Sequence, residues 1–487
     1  MCAKPKLLVS RPLDLSVNDC ACPDGGLEPP PRPKHNIVTH SPTHWQIATA
    51  LHRASLPDEH ELVFNPLGFS NVIVLNASAS VILNSFVRPH ALDAALIPID
   101  LPAEDIQSTL DQLADLELIT PVGYLPQLTR SQPHTLTAWL HVTNACNLSC
   151  HYCYVDKTDD EMSETTGLAA VEAVFRSALK HGFKSVKLKY AGGEATLNFP
   201  LVVKLHQHAT QLAQQIGLDL HEVVLSNGVA LSRAMLDSMR EYGMHLMISL
   251  DGVGETHDQQ RSFANGRGSF TLVARGIDNA IKYGVQPHLS ITATGRSASK
   301  LADAVNFALD RDLRFNLNFY RDNECSASID DLKNDQAQLI SGMQSAFAAI
   351  EARLPQQRLI DGMIDHSAFN EPHEYSCGAG HNYMVVKHDG DIARCQMQLE
   401  RPITHVLADD PLLALRSHKQ DFQNISVNEK SGCRDCTWKL WCAGGCSLLT
   451  FKATGRSDVQ SPYCNVYKAL YPSALRLEGL RLMRWQN

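Results

Sequence analysis

An α/β fold built on a parallel sheet, with a smaller unit before it and a cysteine-rich unit behind it, is what this 487-residue sequence predicts. Three observations carry that reading. From Leu136 onward, apolar β-rich runs alternate six times with stretches of helical periodicity. Before them, a hairpin pattern is followed by short helices. Ten of the 14 cysteines fall in two groups, three near position 150 and seven from Cys377 to Cys464.

Composition bounds the class. The chain is 44% hydrophobic and 20% charged, ordinary for a soluble globular protein. Its length suggests roughly two to four domains. A net charge of −9 argues against nucleic acid or anionic membrane as the main partner. No apolar run reaches transmembrane length, and the first residues lack the apolar core of a signal peptide. The expected compartment is therefore the cytoplasm, where clustered thiols read as metal ligands rather than disulfides.

Residues 1–40 contain Cys20-Ala21-Cys22-Pro23-Asp24-Gly25-Gly26 and then Pro29-Pro30-Pro31-Arg32-Pro33. Pro and Gly at this density predict a disordered tail. Residues 41–130 form a separate unit. Strands over 61–66 and 71–76 make a hairpin through Leu67-Gly68-Phe69-Ser70. Helices are expected over 78–86 and 102–118, the second carrying Ile106, Leu110, Leu113 and Leu116 on one stripe. Glu104 and Asp105 suit its first turn. Together these make a winged-helix-like module. Between Trp45 and Gly123 it has two basic residues, Arg53 and Arg88, against ten acidic ones, so it would repel phosphate.

The central strands are expected at 136–142, 185–191, 222–226, 245–250, 287–294 and 314–319. The helix over 163–181 shows the pattern between them: Ser163 caps it, Gly182 follows it, and Leu168, Val171, Phe175 and Leu179 make one stripe. Six β-α repeats imply parallel strands, with ligands at the loops beyond their C-terminal ends.

Those loops carry the chemistry. After the first strand comes Cys146-Asn147-Leu148-Ser149-Cys150-His151-Tyr152-Cys153. Thiolates this close can wrap one face of an iron–sulfur cluster, leaving one iron open. A zinc site closed by His151 or buried structural thiols are the alternatives. Ala191-Gly192-Gly193-Glu194-Ala195-Thr196-Leu197 follows the second strand; its glycines allow close backbone approach, and Glu194 can pair with an ammonium group. Alone, that run would read as a structural Gly-Gly turn. Ser226-Asn227-Gly228 ends the third strand. Ser249-Leu250-Asp251-Gly252 ends the fourth, followed by His257-Asp258 and Arg261. Residues 322–372, with a helix near 336–354, read as a connector.

In this order, these elements resemble the signatures of the radical S-adenosylmethionine (SAM) enzymes, from about residue 136 to 464. Tyr152, just before the last cysteine, belongs to the likeness. Ala195 and Val253 stand where the family usually has Pro. The resemblance implies a partial (β/α)6 TIM-like barrel over 131–321. It implies a 4Fe–4S cluster on Cys146, Cys150 and Cys153 whose open iron chelates the amino and carboxylate groups of SAM. An electron from the cluster would cleave SAM to a 5′-deoxyadenosyl radical, which takes a hydrogen atom from the substrate. Gly192, Gly193 and Glu194 would receive the amino group, beside Ser226 and Asn227. Ser249 and Arg261 would hold the carboxylate and ribose region, the Arg fork suiting a carboxylate.

Behind the connector, Cys377, Gly390 and Cys395 precede Cys433-x2-Cys436-x5-Cys442-x3-Cys446, and Cys464 closes the run. This resembles the SPASM auxiliary-cluster domain, over 373–487. By that likeness Cys377, Cys395 and Cys446 bind auxiliary cluster I, and Cys433, Cys436, Cys442 and Cys464 bind auxiliary cluster II, making three 4Fe–4S clusters in all. Zinc ribbons are the alternative. Cluster I has three thiols where a closed cluster takes four. Cys325 could fold back, His381 could ligate, or one iron could stay open for the substrate; the open site is the favoured expectation, a lone Cys being usually a small buried hydrophobe. A terminal amphipathic helix is expected over 472–484, with Pro472 in its first turn.

The module at 41–130 resembles the peptide-recognition element of ribosomal-peptide maturases, which binds a leader peptide as an added strand. A plain structural cap is the alternative. The reading is a radical SAM/SPASM oxidoreductase that modifies, by crosslinking, a ribosomally made precursor peptide bearing a leader. An electron donor such as flavodoxin or ferredoxin would serve it. An anaerobic sulfatase maturase making formylglycine is a rival, disfavoured by the N-terminal module. A non-catalytic iron–sulfur DNA-binding regulator is another, and would leave Glu194, Ser249 and Arg261 without purpose.

Overall fold

The computed structural model describes residues 3–10, 44–68, 71–94, 97–124 and 133–486. Six strands, Thr135–His141, Ser185–Ala191, Asp219–Ser226, His245–Ser249, His288–Ala293 and Phe315–Phe319, pair in parallel and in sequence order. Every residue of the first two is buried, as expected of a parallel sheet whose crossovers are helices. The first crossover helix is Glu164–Lys180. It begins where Ser163 Oγ accepts from the Thr166 backbone N–H at 3.0 Å. All six strands lie where the alternation put them, with ends moved by a few residues.

The sheet does not stop there. Tyr383–Val386 pairs in parallel with the first strand, from Tyr383 opposite Thr137 to Val386 opposite Leu140. Asp391–Ala393 and Thr404–His405 then add antiparallel strands, making a nine-stranded sheet. The cysteine-rich region is thus hydrogen-bonded into the central sheet rather than appended to it.

Residues 322–372 hold the helix Gln336–Arg353, close to the expected span; it packs on Leu301–Leu309 and on the turn before it so closely that a Cβ on Gly342 would lie 1.9 Å from the Ala298 carbonyl oxygen. One expectation is corrected nearby. The C-terminal helix runs Cys464–Trp485, with Pro472 inside it rather than in its first turn. An interior Pro costs about 3 kcal/mol. Burial of Val466, Leu470, Leu475 and Leu482 on both sides of it outweighs that, at about 1.5–3 kcal/mol per side chain.

The N-terminal unit is an antiparallel sheet in the order Leu7–Val9, Ile73–Leu75, Glu61–Phe64, His52–Ser55. The expected hairpin is present, Leu62 opposite Val74. The helices Ala77–Asn84 and Ala103–Asp115 and the ribbon of Trp45–Ile47 with Ile119–Pro121 complete it. Alternation assigns the faces. Val63, Ile73 and Leu75 meet Ile82, Leu83, Ile106 and Leu110. Leu62, Phe64 and Val74 face the C-terminal helix and Trp441, whose Nε1–H donates to the Pro66 carbonyl at 2.7 Å. Phe64 and Trp441 meet edge to face at 4.8 Å.

The strand Leu7–Val9 corrects the expected disordered tail at that point: the apolar triplet ahead of the Pro- and Gly-rich stretch pairs with Ile73–Leu75. The rest of that stretch, with Cys2, Cys20 and Cys22, lies outside the described residues. Both long edges of the hairpin are covered, by Leu7–Val9 and His52–Ser55. Among the described residues, no helix is long and apolar enough to cross a membrane.

Candidate active site

The loop carrying Cys146, Cys150 and Cys153 leaves the first parallel strand. It is held from below by the Gly-Gly-Glu run at the end of the second. Gly193 N–H donates to Thr143 O at 2.7 Å, and Glu194 N–H to Ala145 O at 2.9 Å. A Cβ on Gly192 would lie 2.4 Å from Thr143 O, and one on Gly193 2.4 Å from both Asn144 O and Ala145 O. The two glycines are therefore needed for the cysteine loop's own backbone, before any ligand is considered. On the far side, Ser149–Cys150 pairs with Arg261–Ser262, joining the loop to the segment after the fourth strand.

Glu194 is buried at the centre. Its carboxylate accepts from Ser226 Oγ at 2.9 Å, Asn227 N–H at 2.6 Å, Thr196 N–H at 3.2 Å and the Thr196 hydroxyl. Burial still outweighs these bonds and holds its pKa above the usual carboxylate range. Asn227 Nδ2 reaches Asn147 Oδ1 at 2.7 Å and the Cys146 sulfur at 3.9 Å. Leu148 N–H points at the same sulfur, 3.4 Å away.

The three thiols influence one another electrostatically. Burial pushes the Cys150 thiol up to about 11, while the Arg261 and Lys157 charges pull the other way. Buried thiols in this state are neutral alone and become thiolates when a metal displaces the proton. That donor set fits an iron–sulfur cluster. Among the described residues, no group of three or more His, Cys, Asp or Glu side chains meets at a point fit for a single metal ion; a four-iron cluster is a wider body whose ligands need not. His151, the candidate zinc ligand, is exposed and bonds Arg296 Nη1 at 2.7 Å instead.

Tyr152, Asp251 and Arg261 form a closed set. The Tyr152 hydroxyl donates to buried Asp251, Arg261 Nη1 donates to that hydroxyl, and Arg261 lies 3.6 Å from Asp251. Asp251 also accepts from Thr292 N–H at 3.1 Å. Arg261 Nε is buried with no hydrogen-bond partner among the described residues. The fork expected to take a carboxylate is thus partly committed, and Nε is its unspent donor. Ser249 stands at its strand end, one residue past the Ile248 that pairs with Ser226. His257 and Asp258 are spent inside the fold: His257 Nε2 meets Ser269 Oγ at 3.0 Å, and Asp258 accepts from Phe270 N–H at 2.7 Å. Asp251 could have been found as the acidic member of Ser-Leu-Asp-Gly.

The C-terminal thiols sort into two groups in space. Cys377, Cys395 and Cys446 act on one another, with Ala379, Phe422 and Leu448 packed around them. Cys433, Cys436, Cys442 and Cys464 act on one another and line a single pocket with Trp438 and Lys468. Burial lifts Cys395 and Cys433 each to about 12. Cys446 is the exception: burial pushes it up, but Arg321 and His366 bring it down to about 6. Buried Lys430 lies between the groups, its charge felt by Cys433, Cys377, Cys442 and Cys446. Tyr154 feels both Cys153 and Cys395, linking the first loop to the group of Cys377, Cys395 and Cys446.

Of the ligands considered for the three-thiol group, Cys325 is exposed rather than buried as expected, and Cys153 is the thiol it feels. His381 Nε2 is 2.9 Å from the Asn424 carbonyl oxygen. Sequence reading missed His366, which has no spacing signal in a stretch taken for a connector.

Residues 140–308 match the Radical SAM superfamily. The chain is 23% identical over 351 residues to the cysteine-type anaerobic sulfatase-maturating enzyme of Clostridium novyi, covering 67% of this chain and 91% of that protein. It is 24% identical over 171 residues to the uncharacterized protein MJ0907 of Methanocaldococcus jannaschii, covering 35% of this chain and 57% of that one. Among solved structures, native anSMEcpe with bound AdoMet and Cp18Cys peptide aligns with a TM-score of 0.57 at 18% identity, over 71% of this chain and 99% of that one.

Proposed function

We propose that the chain, whose residues 140–308 match the Radical SAM superfamily, is a radical SAM enzyme that modifies, by crosslinking, side chains of a ribosomally made precursor peptide. When bound, the cluster and SAM supply one-electron cleavage and hydrogen-atom abstraction, chemistry that belongs to the cofactor. The protein's residues hold and orient. Cys146, Cys150 and Cys153 hold the cluster through thiolates. Glu194, costly to ionise in its buried seat, gains from an ammonium group placed beside it. Arg261 Nε offers an unspent donor to the carboxylate side, with Ser249 nearby and Tyr152 and Asp251 fixing the guanidinium. Ser226 and Asn227 set the Glu194 carboxylate. Two further 4Fe–4S clusters would sit on Cys377, Cys395 and Cys446, and on Cys433, Cys436, Cys442 and Cys464. Clusters held there would supply electron-transfer chemistry fed by a flavodoxin- or ferredoxin-like donor, with Tyr154 and Lys430 between the sites that would hold them.

The observation that supports a peptide substrate is the N-terminal sheet. Its outer strands, Leu7–Val9 and His52–Ser55, each pair on one side only among the described residues. An unpaired edge is where an extended leader adds as a strand. The winged-helix-like unit, capping the cysteine-rich region, would carry the leader to the site.

A sulfatase-maturase reading has its own support in the Clostridium novyi relative, though that match leaves about a third of this chain unaligned. One experiment separates them. Reduced, reconstituted protein is incubated with SAM and the peptide encoded by a neighbouring small reading frame, or with a sulfatase peptide bearing Cys or Ser. A precursor that loses two hydrogen atoms and resists proteolysis across the new link supports crosslinking. A hydrazide-reactive aldehyde on the sulfatase peptide alone would replace that reading with formylglycine formation. No 5′-deoxyadenosine with either peptide would defeat both.

A further inference from the structure

His366 stands in the stretch before the cysteine-rich region, at φ +54°. A non-glycine residue held in the left-handed region is uncommon, and such positions cluster at ligand clamps. Its Nδ1 lies 3.0 Å from the carbonyl oxygen of Ser376, the residue before Cys377. A carbonyl only accepts, so Nδ1 carries the proton. In the neutral ring Nε2 then carries the lone pair. The ring and the Cys446 thiol act on one another electrostatically. One imidazole is thus tied to the backbone beside one thiol of the three-thiol group and within electrostatic reach of a second. Tethering of one ring nitrogen to a backbone carbonyl is the usual way a metal-ligating histidine is oriented.

We propose that His366 Nε2 is the fourth ligand of the cluster held by Cys377, Cys395 and Cys446. This rests on the reading that these thiols hold a four-iron cluster, and it replaces the open iron expected from the thiol count. The group is chemically complete with it: three thiolates and one neutral nitrogen close the four irons. Cys325 and His381 are not needed. A neutral imidazole in place of a thiolate leaves the cluster less negative, so its reduction potential should lie above that of an all-cysteine cluster, in the direction His ligation gives in Rieske centres.

The test is made on the full-length, anaerobically reconstituted protein grown with 15N-histidine. Wild type should load about twelve irons, four per cluster, and its reduced form should show, by pulsed electron-nuclear double resonance, a nitrogen bonded directly to iron. His366→Ala should lose that coupling while the spectra of the other clusters remain. His366→Cys should keep the iron, lose the coupling and lower the midpoint potential of one cluster. Wild-type protein with about twelve irons and no strong nitrogen coupling overturns the proposal alone, as does a coupling that survives in both variants. Loading of only about eight irons or fewer overturns the cluster reading and this inference together. His366→Cys answers the question even if His366→Ala fails to fold.

Discussion

The two cysteine-bearing regions are held in different ways. The loop of Cys146, Cys150 and Cys153 is fixed by hydrogen bonds from strand ends: Gly193 and Glu194 below it, Arg261–Ser262 beside it, Asn227 against one sulfur. Among the C-terminal thiols, Cys433 and Cys442 are fixed by packing in a core of Trp441, Tyr467, Tyr471 and Phe369 that also takes up Phe64 of the N-terminal sheet, and Cys377, Cys395 and Cys446 by packing with Ala379, Phe422 and Leu448. The lesson is that the first region can be disabled without loosening the fold, while damage to the second should cost stability before it costs chemistry.

The sharpest break of this comparison comes from the thiols themselves. Replacing Cys146, Cys150 and Cys153 together by Ala should abolish 5′-deoxyadenosine formation and remove about a third of the iron, with the melting temperature of the apoprotein little changed. Full SAM cleavage by that variant would sink the assignment. On the packed side, Trp441→Ala should cost about 3–5 kcal/mol in denaturant unfolding, since it removes a buried ring and the donor to Pro66. A loss under about 1 kcal/mol would mean the N-terminal unit rests only loosely there.

Gly193→Ala probes the hydrogen-bonded side. Its Cβ would collide with two carbonyl oxygens of the cysteine loop, so the loop must shift. SAM affinity should fall tenfold or more, read by equilibrium binding to the reconstituted enzyme, with about 1–3 kcal/mol of strain.

Glu194 gives a pH signature. Its folded pKa is raised by burial, so the folded chain binds that proton more tightly than the unfolded one. Stability should therefore fall as pH rises from the ordinary carboxylate value through the raised one, and Glu194→Gln should flatten that slope in urea titrations at stepped pH. SAM binding should release a proton in the same window, and calorimetry in buffers of different ionisation enthalpy would detect it. The smallest effect is expected at Cys325→Ala: an exposed thiol, no loss of iron, and a stability change within about 0.5 kcal/mol.

Much of this was legible in sequence because its signals are local. Strand positions follow from apolar runs between helical stripes, and Ser163 announced its helix. The Gly-Gly-Glu run was visible, but not that its glycines serve Thr143, Asn144 and Ala145, because backbone collisions leave no residue pattern. Tyr383–Val386 was legible as an apolar run and went unread beside the cysteines. The Leu7–Val9 strand hid in the same way ahead of the proline-rich stretch. Pro472 misled because an interior proline is tolerated only by tertiary burial, which no window of helix propensity contains. His366 was illegible: its role depends on a left-handed backbone and on partners at Ser376 and Cys446, none of which spacing encodes.

The pairing of Tyr383–Val386 with Thr137–Leu140 also sets a timetable for biosynthesis. The first central strand is made before the other five, yet its partner on one side leaves the ribosome only after all of them. At about 5–20 residues per second, that edge stays open for on the order of ten seconds or more. An open strand whose every residue is buried in the finished sheet is a template for misassociation, and pairing over so long a span is slow. Nascent chains that stall before Tyr383 should therefore be the ones that need a chaperone, and cluster loading at the cysteine-rich end would come after the central sheet has been closed.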